Sequence, residues 1–311
     1  MSSTVDSSWS LKKACELLRE AQQSGAGLLI LSGAGLSVQS GVPVFRMNDG
    51  SMSAEFLKFL GDYNKAREAA GLETADSWFQ FSVADMFREE TAFEAWQYWR
   101  WRMLRALVQP AEDYQLLNKI INTFGHERVF AVTSNCDMLH ASAGLPKDHI
   151  YEIHGSLGYL QCSKPCNLTL HPVDQTFLDR LRDEPSWVPM CPACSTHCLR
   201  PNVMIFMDHA YVENDQESKF EQFRENFLDT STGPKTVVLE IGAGRVVSSI
   251  RHYGETLGAA GAGLIRINPS TIECQELQHS QSAELLAGKY FPLDEKACDA
   301  LKAICEEMNL E

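Results

Sequence analysis

Four short, largely apolar runs punctuate the chain at Leu28 to Leu31, Val129 to Val132, Val237 to Ile241 and Leu264 to Ile267. Each ends in small or polar residues, reading SGAG, TSN, GAG and NPS in turn. Runs this short and apolar fit strands buried on both faces, as in a parallel sheet covered by helices. Between them the pattern lengthens to a helical period. Ser8 to Gln23 carries Leu11, Cys15 and Leu18 at helical spacing, with serine available as a cap and Gly25 to stop it. Thr91 to Val108 carries Phe93, Trp96, Trp99, Met103 and Leu107 and stops before Pro110. The tail after Asp294 reads as a closing amphipathic helix. Strand followed by helix, repeated, predicts a doubly wound α/β fold with a parallel sheet. Ligands of such sheets lie beyond the carboxyl ends of the strands, so the four polar strand ends converge on one crevice.

Two stretches exceed a simple strand-to-helix connection. Residues 48–105 are aromatic-rich and helical in pattern, and 155–201 hold most of the paired cysteines, which predicts a helical insertion and a small separate module. At 311 residues and 44% apolar content the chain has material for a sizeable core. A net charge of -14 opposes non-specific binding to a phosphate backbone, and no sequence-specific nucleic-acid contact is expected. No window approaches the ~20 apolar residues of a membrane span, and the first residues lack an apolar run behind a basic end. The expected location is the cytoplasm, with the nucleus as the alternative. Ten cysteines in such a chain read as thiols and metal ligands rather than disulfides.

Chemistry-bearing residues sit at the strand ends. In GAGLSVQSGVPVFR, Gly33 and Gly35 let the backbone turn tightly and approach a pyrophosphate, and Ser37 is placed to cap a following helix; a plain turn is the competing reading. TSNCDMLHASAG begins at Thr133, and Ile150 to Gly155 spells IYEIHG. Taken alone, Asp137 is a helix-start residue and His154 one of nine histidines, structural or basic. Cys162 and Cys166, then Cys191 and Cys194, form two short-spaced pairs fit for tetrahedral zinc in a closed, structural site. Cys198, His171 and His197 lie close enough in sequence to replace one member.

Read to its end, GAG through SGVP to FR resembles the signature of the sirtuin family, and TSNCDMLHASAG, HG and the later LRPNVMIFMD are similar to further sirtuin elements in the same order. The resemblance spans Leu28 to Ser270. It implies a Rossmann-type NAD-binding domain from 1–47, 106–154 and 202–311, with 48–105 as helical insertion and 155–201 as four-cysteine zinc module. It implies that Gly33, Ala34, Gly35, Ser37, Phe45, Arg46, Ser134, Asn135, Asp137, Gly242, Ala243, Gly244 and Asn268 line the NAD site. Asn135 then contacts the nicotinamide ribose, Asp137 the nicotinamide carboxamide, and His154 is the general base, with an acylated-lysine peptide adding as a strand beside the LRPNVMIFMD run.

The implied activity is NAD-dependent protein-lysine deacylation, releasing nicotinamide and O-acyl-ADP-ribose. Mono-ADP-ribosyl transfer, NAD hydrolysis and silent NAD sensing are the alternatives. Three positions depart from the family pattern: Val44 replaces an aspartate, Ser134 a glutamine and Met207 a glycine. Sirtuins preferring acidic acyl chains carry tyrosine and, three residues on, arginine; the nearest match is Trp99 with Arg102. Either these read an acyl carboxylate, or Arg100, Arg102 and Arg105 form the wet side of an amphipathic helix.

Overall fold

The computed structural model describes residues 7–44, 51–76, 78–228, 233–245, 247–277 and 280–310. Its strands are β1 (Leu28–Ser32), β2 (Val129–Thr133), β3 (Ile150–Glu152), β4 (Gly155–Cys162), β5 (His171–Pro172), β6 (Leu199–Val203), β7 (Val237–Ile241), β8 (Gly263–Ile267) and β9 (Tyr290–Leu293). Six of them form a sheet in the order β3-β2-β1-β7-β8-β9, and every pairing in it is parallel. The four apolar runs supply its centre. The edge strands β3 and β9 are additional, and β9 carries Pro292, which an edge tolerates because one row of its backbone groups needs no sheet partner.

The strands are in phase. Ser32 lies opposite both Thr133 and Ile241, and Ile241 opposite Ile267, so four strands stop on one line. The chain runs outward from β1 through β2 and β3, then returns to build β7 to β9 on the other side. The switch point therefore falls between β1 and β7, where two adjacent strand ends can flank a ligand.

Both faces are covered. Leu28 and Ile30 join Cys15, Leu18, Ile120 and Ile304 in one core, while Leu29 and Leu31 join Phe220, Phe223, Val238 and Leu264 in the other. Two-sided burial is why β1 shows no polar alternation. Each of its buried leucines contributes about 1.5–3 kcal/mol relative to exposure. The helices Ser7–Ser24, Glu112–Phe124 and Ala297–Met308 lie over the first core, and Gln216–Phe223 and Ser249–Ala260 over the second.

The two excursions pack against each other. Strands β5-β4-β6 form an antiparallel sheet with helix Gln175–Asp183 beside it, and helix Ala92–Ala106 meets both. Trp96 donates its indole N–H to the Leu199 carbonyl at 2.9 Å. Arg100 is buried, not on a wet helix face: its guanidinium donates to the carbonyls of Leu181, Glu184, Pro185 and Trp187. Arg102 is buried too and donates to the Pro43 carbonyl, which leaves Arg105 as the exposed member, stacked over Trp101. A guanidinium tolerates such burial because carbonyls can satisfy its five donors.

Candidate functional site

The glycine loops after β1 and β7 meet backbone to backbone. Gly33 N–H donates to the Ile241 carbonyl and Gly35 N–H to the Gly242 carbonyl, both at 3.0 Å. A Cβ on Gly33 would lie 2.7 Å from the Gly242 oxygen, and one on Gly35 2.7 Å from the Gly242 Cα. Gly242 itself has φ +64°. Close approach and left-handed backbone together demand glycine at these turns. Gly244 faces open space, and Ala34 is exposed at the start of its short helical turn, Ala34–Ser37. Phe45 and Arg46 lie outside the described residues.

Ser37 does not cap a helix. Its hydroxyl is buried and donates to Asp137 Oδ2 at 2.7 Å, while Asn135 Nδ2 donates to it at 2.9 Å and the Tyr114 hydroxyl lies 3.0 Å away. Asn135 Nδ2 also donates to the Gly33 carbonyl at 3.0 Å. Both amide hydrogens of Asn135 are thereby committed, and the group left to serve a ligand is the acceptor Oδ1. Asp137 accepts the Leu139 N–H through Oδ1 at 3.0 Å, so the helix-start role and the place in the polar cluster are held by the same side chain. Burial raises the pKa of its carboxyl. Ser134 donates its backbone N–H to the Ser32 carbonyl at 3.1 Å. Behind this layer Ser32, Thr133 and His140 form a second cluster at 2.8 Å spacings, with burial pushing His140 down to about 4 and so keeping it neutral.

His154 lies just beyond the neighbouring strand β3. Thr133 pairs with Glu152, and Ile153 N–H donates to the Thr133 carbonyl at 2.9 Å, so Asn135 and His154 each lie two residues beyond a paired couple. The His154 carbonyl accepts the Met204 N–H at 2.9 Å. Burial lowers the imidazole pKa, which favours the neutral, proton-accepting form. The next residue, Gly155, has φ +80°, and a side chain there would strike the Asn202 carbonyl and the Tyr211 hydroxyl. Glu152 is buried, holds the Ser156 hydroxyl at 3.1 Å, and is pushed by burial up to about 7.

Beyond β6 the chain passes Phe206, which pairs with Val83, to Met207, which has φ +56° and is 68% exposed. A left-handed residue here explains why glycine suits the position; methionine accepts the strain and projects an apolar side chain. Asp208 anchors the turn through a buried two-pronged pair with Arg200 at 2.7 and 2.8 Å.

Asn268 is turned inward. Its Nδ2 donates to the Ala243 carbonyl at 3.0 Å and its Oδ1 accepts the Ser270 N–H at 3.1 Å, so the side chain braces the glycine loop after β7. Beneath it, Arg266 pairs with Glu240 at 2.6 and 2.9 Å and with Glu255 at 3.2 Å, all fully or nearly fully buried. Arg251 donates to the carbonyls of Ala243 and Glu276. The sequence pattern gave no sign of this network, because Glu240 and Arg266 stand inside runs that otherwise read as buried strands.

The thiols of Cys162, Cys166, Cys191 and Cys194 all lie within 4.8 Å of one another, with Sγ separations of 4.0 Å for Cys162 and Cys194 and 3.8 Å for Cys166 and Cys191. Four sulfurs about 2.3 Å from a tetrahedral zinc would be separated by about 3.8 Å. The backbone N–H groups of His197 and Thr196 bring Cys194 down to about 7, favouring a thiolate. Cys198 points elsewhere, toward the Phe87 carbonyl at 3.6 Å, and neither His171 nor His197 joins the cluster.

Among the described residues no helix is long and apolar enough to cross a membrane. The model of the Sir2 family matches residues 33–227, well over half of the 311, and the chain belongs to that family. An NAD-dependent protein deacylase of Thermus thermophilus is 26% identical over 273 residues, covering 86% of this chain and 88% of the relative. An NAD-dependent protein deacylase of Candida albicans is 29% identical over 150 residues, covering 46% of this chain and 40% of the relative. A solved Sir2–p53 peptide–NAD+ complex shares the fold with a TM-score of 0.56 at 19% identity, covering 97% of this chain and 99% of that one.

Proposed function

We propose that this protein is an NAD-dependent protein-lysine deacylase acting on acylated-lysine peptides. The observation that carries the reading is that Asn135, Asp137 and His154 follow the ends of two paired strands beside the switch point, with Asn135 and Asp137 bonded to the loop after β1. The related deacylases of the same family and the NAD- and peptide-bound neighbour support it.

The residues fit a dinucleotide. Gly33, Ala34, Gly35 and Ser37, the stretch from Ser134 to Asp137, and Gly242, Ala243 and Gly244 would surround it, with Asn268 shaping the last loop from behind. Bound NAD would supply a ribose carbon at which the acyl oxygen displaces nicotinamide; capture of the acyl carbon by a ribose hydroxyl and addition of one water would then release free lysine and O-acyl-ADP-ribose. Asn135 presents an uncharged acceptor to a ribose hydroxyl. Asp137 recognises the departing carboxamide. His154, neutral at working pH, takes the proton when a ribose hydroxyl captures the acyl group. The four thiols hold one structural zinc, which ties β4 to the turn before β6. The division at 48–105 and 155–201 is part of the same proposal.

Incubation with NAD and a panel of acyl-lysine peptides, followed by mass spectrometry, tests this reading. Nicotinamide and O-acyl-ADP-ribose are expected together. Radiolabel transferred from NAD to protein would replace the reading with ADP-ribosyl transfer, and NAD binding without nicotinamide release would replace it with a sensor.

A further inference from the structure

Tyr114 belongs to none of the sequence motifs, yet it completes the polar cluster at the strand ends. It rises from helix Glu112–Phe124 and is 1% exposed, and its ring meets the edge of His140 with centroids 5.3 Å apart at 78°. Three groups surround the Ser37 oxygen: Asp137 Oδ2 at 2.7 Å, Asn135 Nδ2 at 2.9 Å and the Tyr114 hydroxyl at 3.0 Å. A serine hydroxyl has one hydrogen and two lone pairs. Its hydrogen goes to the carboxylate and one lone pair receives the amide, so the second lone pair receives the phenol hydrogen. Burial raises Tyr114 well above the ordinary phenol range, so that hydrogen is always present.

We propose that Tyr114 is a positioning residue for the nicotinamide end of the site, fixing Asn135 and Asp137 together through the Ser37 hydroxyl; this rests on the deacylase reading. With all three of its bonding positions filled, Ser37 has one rotamer. That rotamer holds Asp137 Oδ2 and the Asn135 Nδ2, which leaves Asn135 Oδ1 as the acceptor available to a ligand. Without the phenol hydrogen, one lone pair of a buried oxygen is unfilled and the Ser37 rotamer is held by two bonds instead of three. The shared anchor of Asn135 and Asp137 is then less firmly fixed.

The test is Tyr114→Phe in the full chain, which keeps the ring against His140 and removes only the hydroxyl. The Michaelis constant for NAD and the inhibition constant for nicotinamide are expected to rise about five- to tenfold, the worth of one hydrogen bond in a buried site. The Michaelis constant for an acetyl-lysine peptide is expected to stay unchanged. In a Ser37→Ala background the same substitution is expected to add nothing, because the route runs through Ser37. Unchanged NAD and nicotinamide constants, with only the melting temperature lowered, would make Tyr114 a packing residue and overturn the proposal, as would a full additive loss in the Ser37→Ala background. If the wild type releases no nicotinamide, the deacylase reading falls separately. Tyr114 is then judged by calorimetry with NAD: a five- to tenfold weaker variant upholds its role, and equal affinities, or no binding by the wild type, overturn it.

Discussion

Gly35 and Gly242 lie in van der Waals contact across the switch point of the sheet, joined by a 3.0 Å hydrogen bond from the Gly35 N–H to the Gly242 carbonyl. A Cβ on Gly242 would lie 2.6 Å from both the Gly35 Cα and its carbonyl carbon. Neither loop can gain a methyl group without displacing the other. Gly242→Ala also places an L-residue at φ +64°. A loss of about 1–3 kcal/mol of stability is expected from overpacking, with weakened NAD binding beside it. Thermal unfolding and calorimetry on the same sample check both, and a variant with wild-type values would show that the loops do not meet in this way.

His154 is expected to act in its neutral form. Burial sets its pKa below the ordinary 6.5, so turnover should fall only as pH drops through that lowered value, with the acid limb centred below 6.5. His154→Ala should lower turnover by roughly a hundredfold or more and leave NAD affinity within a few fold. A pH–rate profile and NAD titration decide the matter; undiminished turnover removes His154 from the chemistry.

The cysteine cluster makes a metal prediction. About one zinc per chain is expected for a single four-ligand site. Because metal binding contributes directly to folding free energy, Cys191→Ser or Cys194→Ser should lower the melting temperature and solubility, with activity lost in consequence. Elemental analysis of the wild type provides the check, and a soluble, active, zinc-free protein would sink the assignment.

The acyl preference turns on Arg102. The Trp99 indole N–H is already given to the Phe81 carbonyl at 3.1 Å, so it has no donor left for a ligand. Arg102 donates to the Pro43 carbonyl, and its charge partly offsets the burial that raises the pKa of Asp137. Its expected role is to support the cofactor loop and the nicotinamide end together. Arg102→Ala should therefore reduce turnover of acetyl-, butyryl-, succinyl- and glutaryl-lysine peptides by a similar factor, about tenfold or more for a lost charged hydrogen bond. A selective loss on the acidic chains would instead place Arg102 in the acyl pocket.

Much of this arrangement was legible along the chain because periodicity reports burial. Leu28 to Leu31 and Val237 to Ile241 read as two-sided strands and form the sheet centre, and the turn residues after them mark the crevice. Cysteine spacing likewise located a cluster that folding closes to within 4.8 Å. Hydrogen-bond partnership follows no period. Ser37 looked like a cap, but its partners Tyr114, Asn135 and Asp137 stand 77, 98 and 100 residues away and are brought in by strand order. Arg100 and Arg102 looked solvated, since a pattern of residue types scores a charge as wet. The packing of one excursion on the other supplied the carbonyls that let Arg100 be buried, and the stretch after β1 supplied the Pro43 carbonyl for Arg102. Because burial and turn chemistry are local, the residue pattern alone located the four central strands and the motifs at their ends. The tertiary structure alone decided which polar groups hold one another, because a buried donor is satisfied by whatever acceptor the fold carries to it.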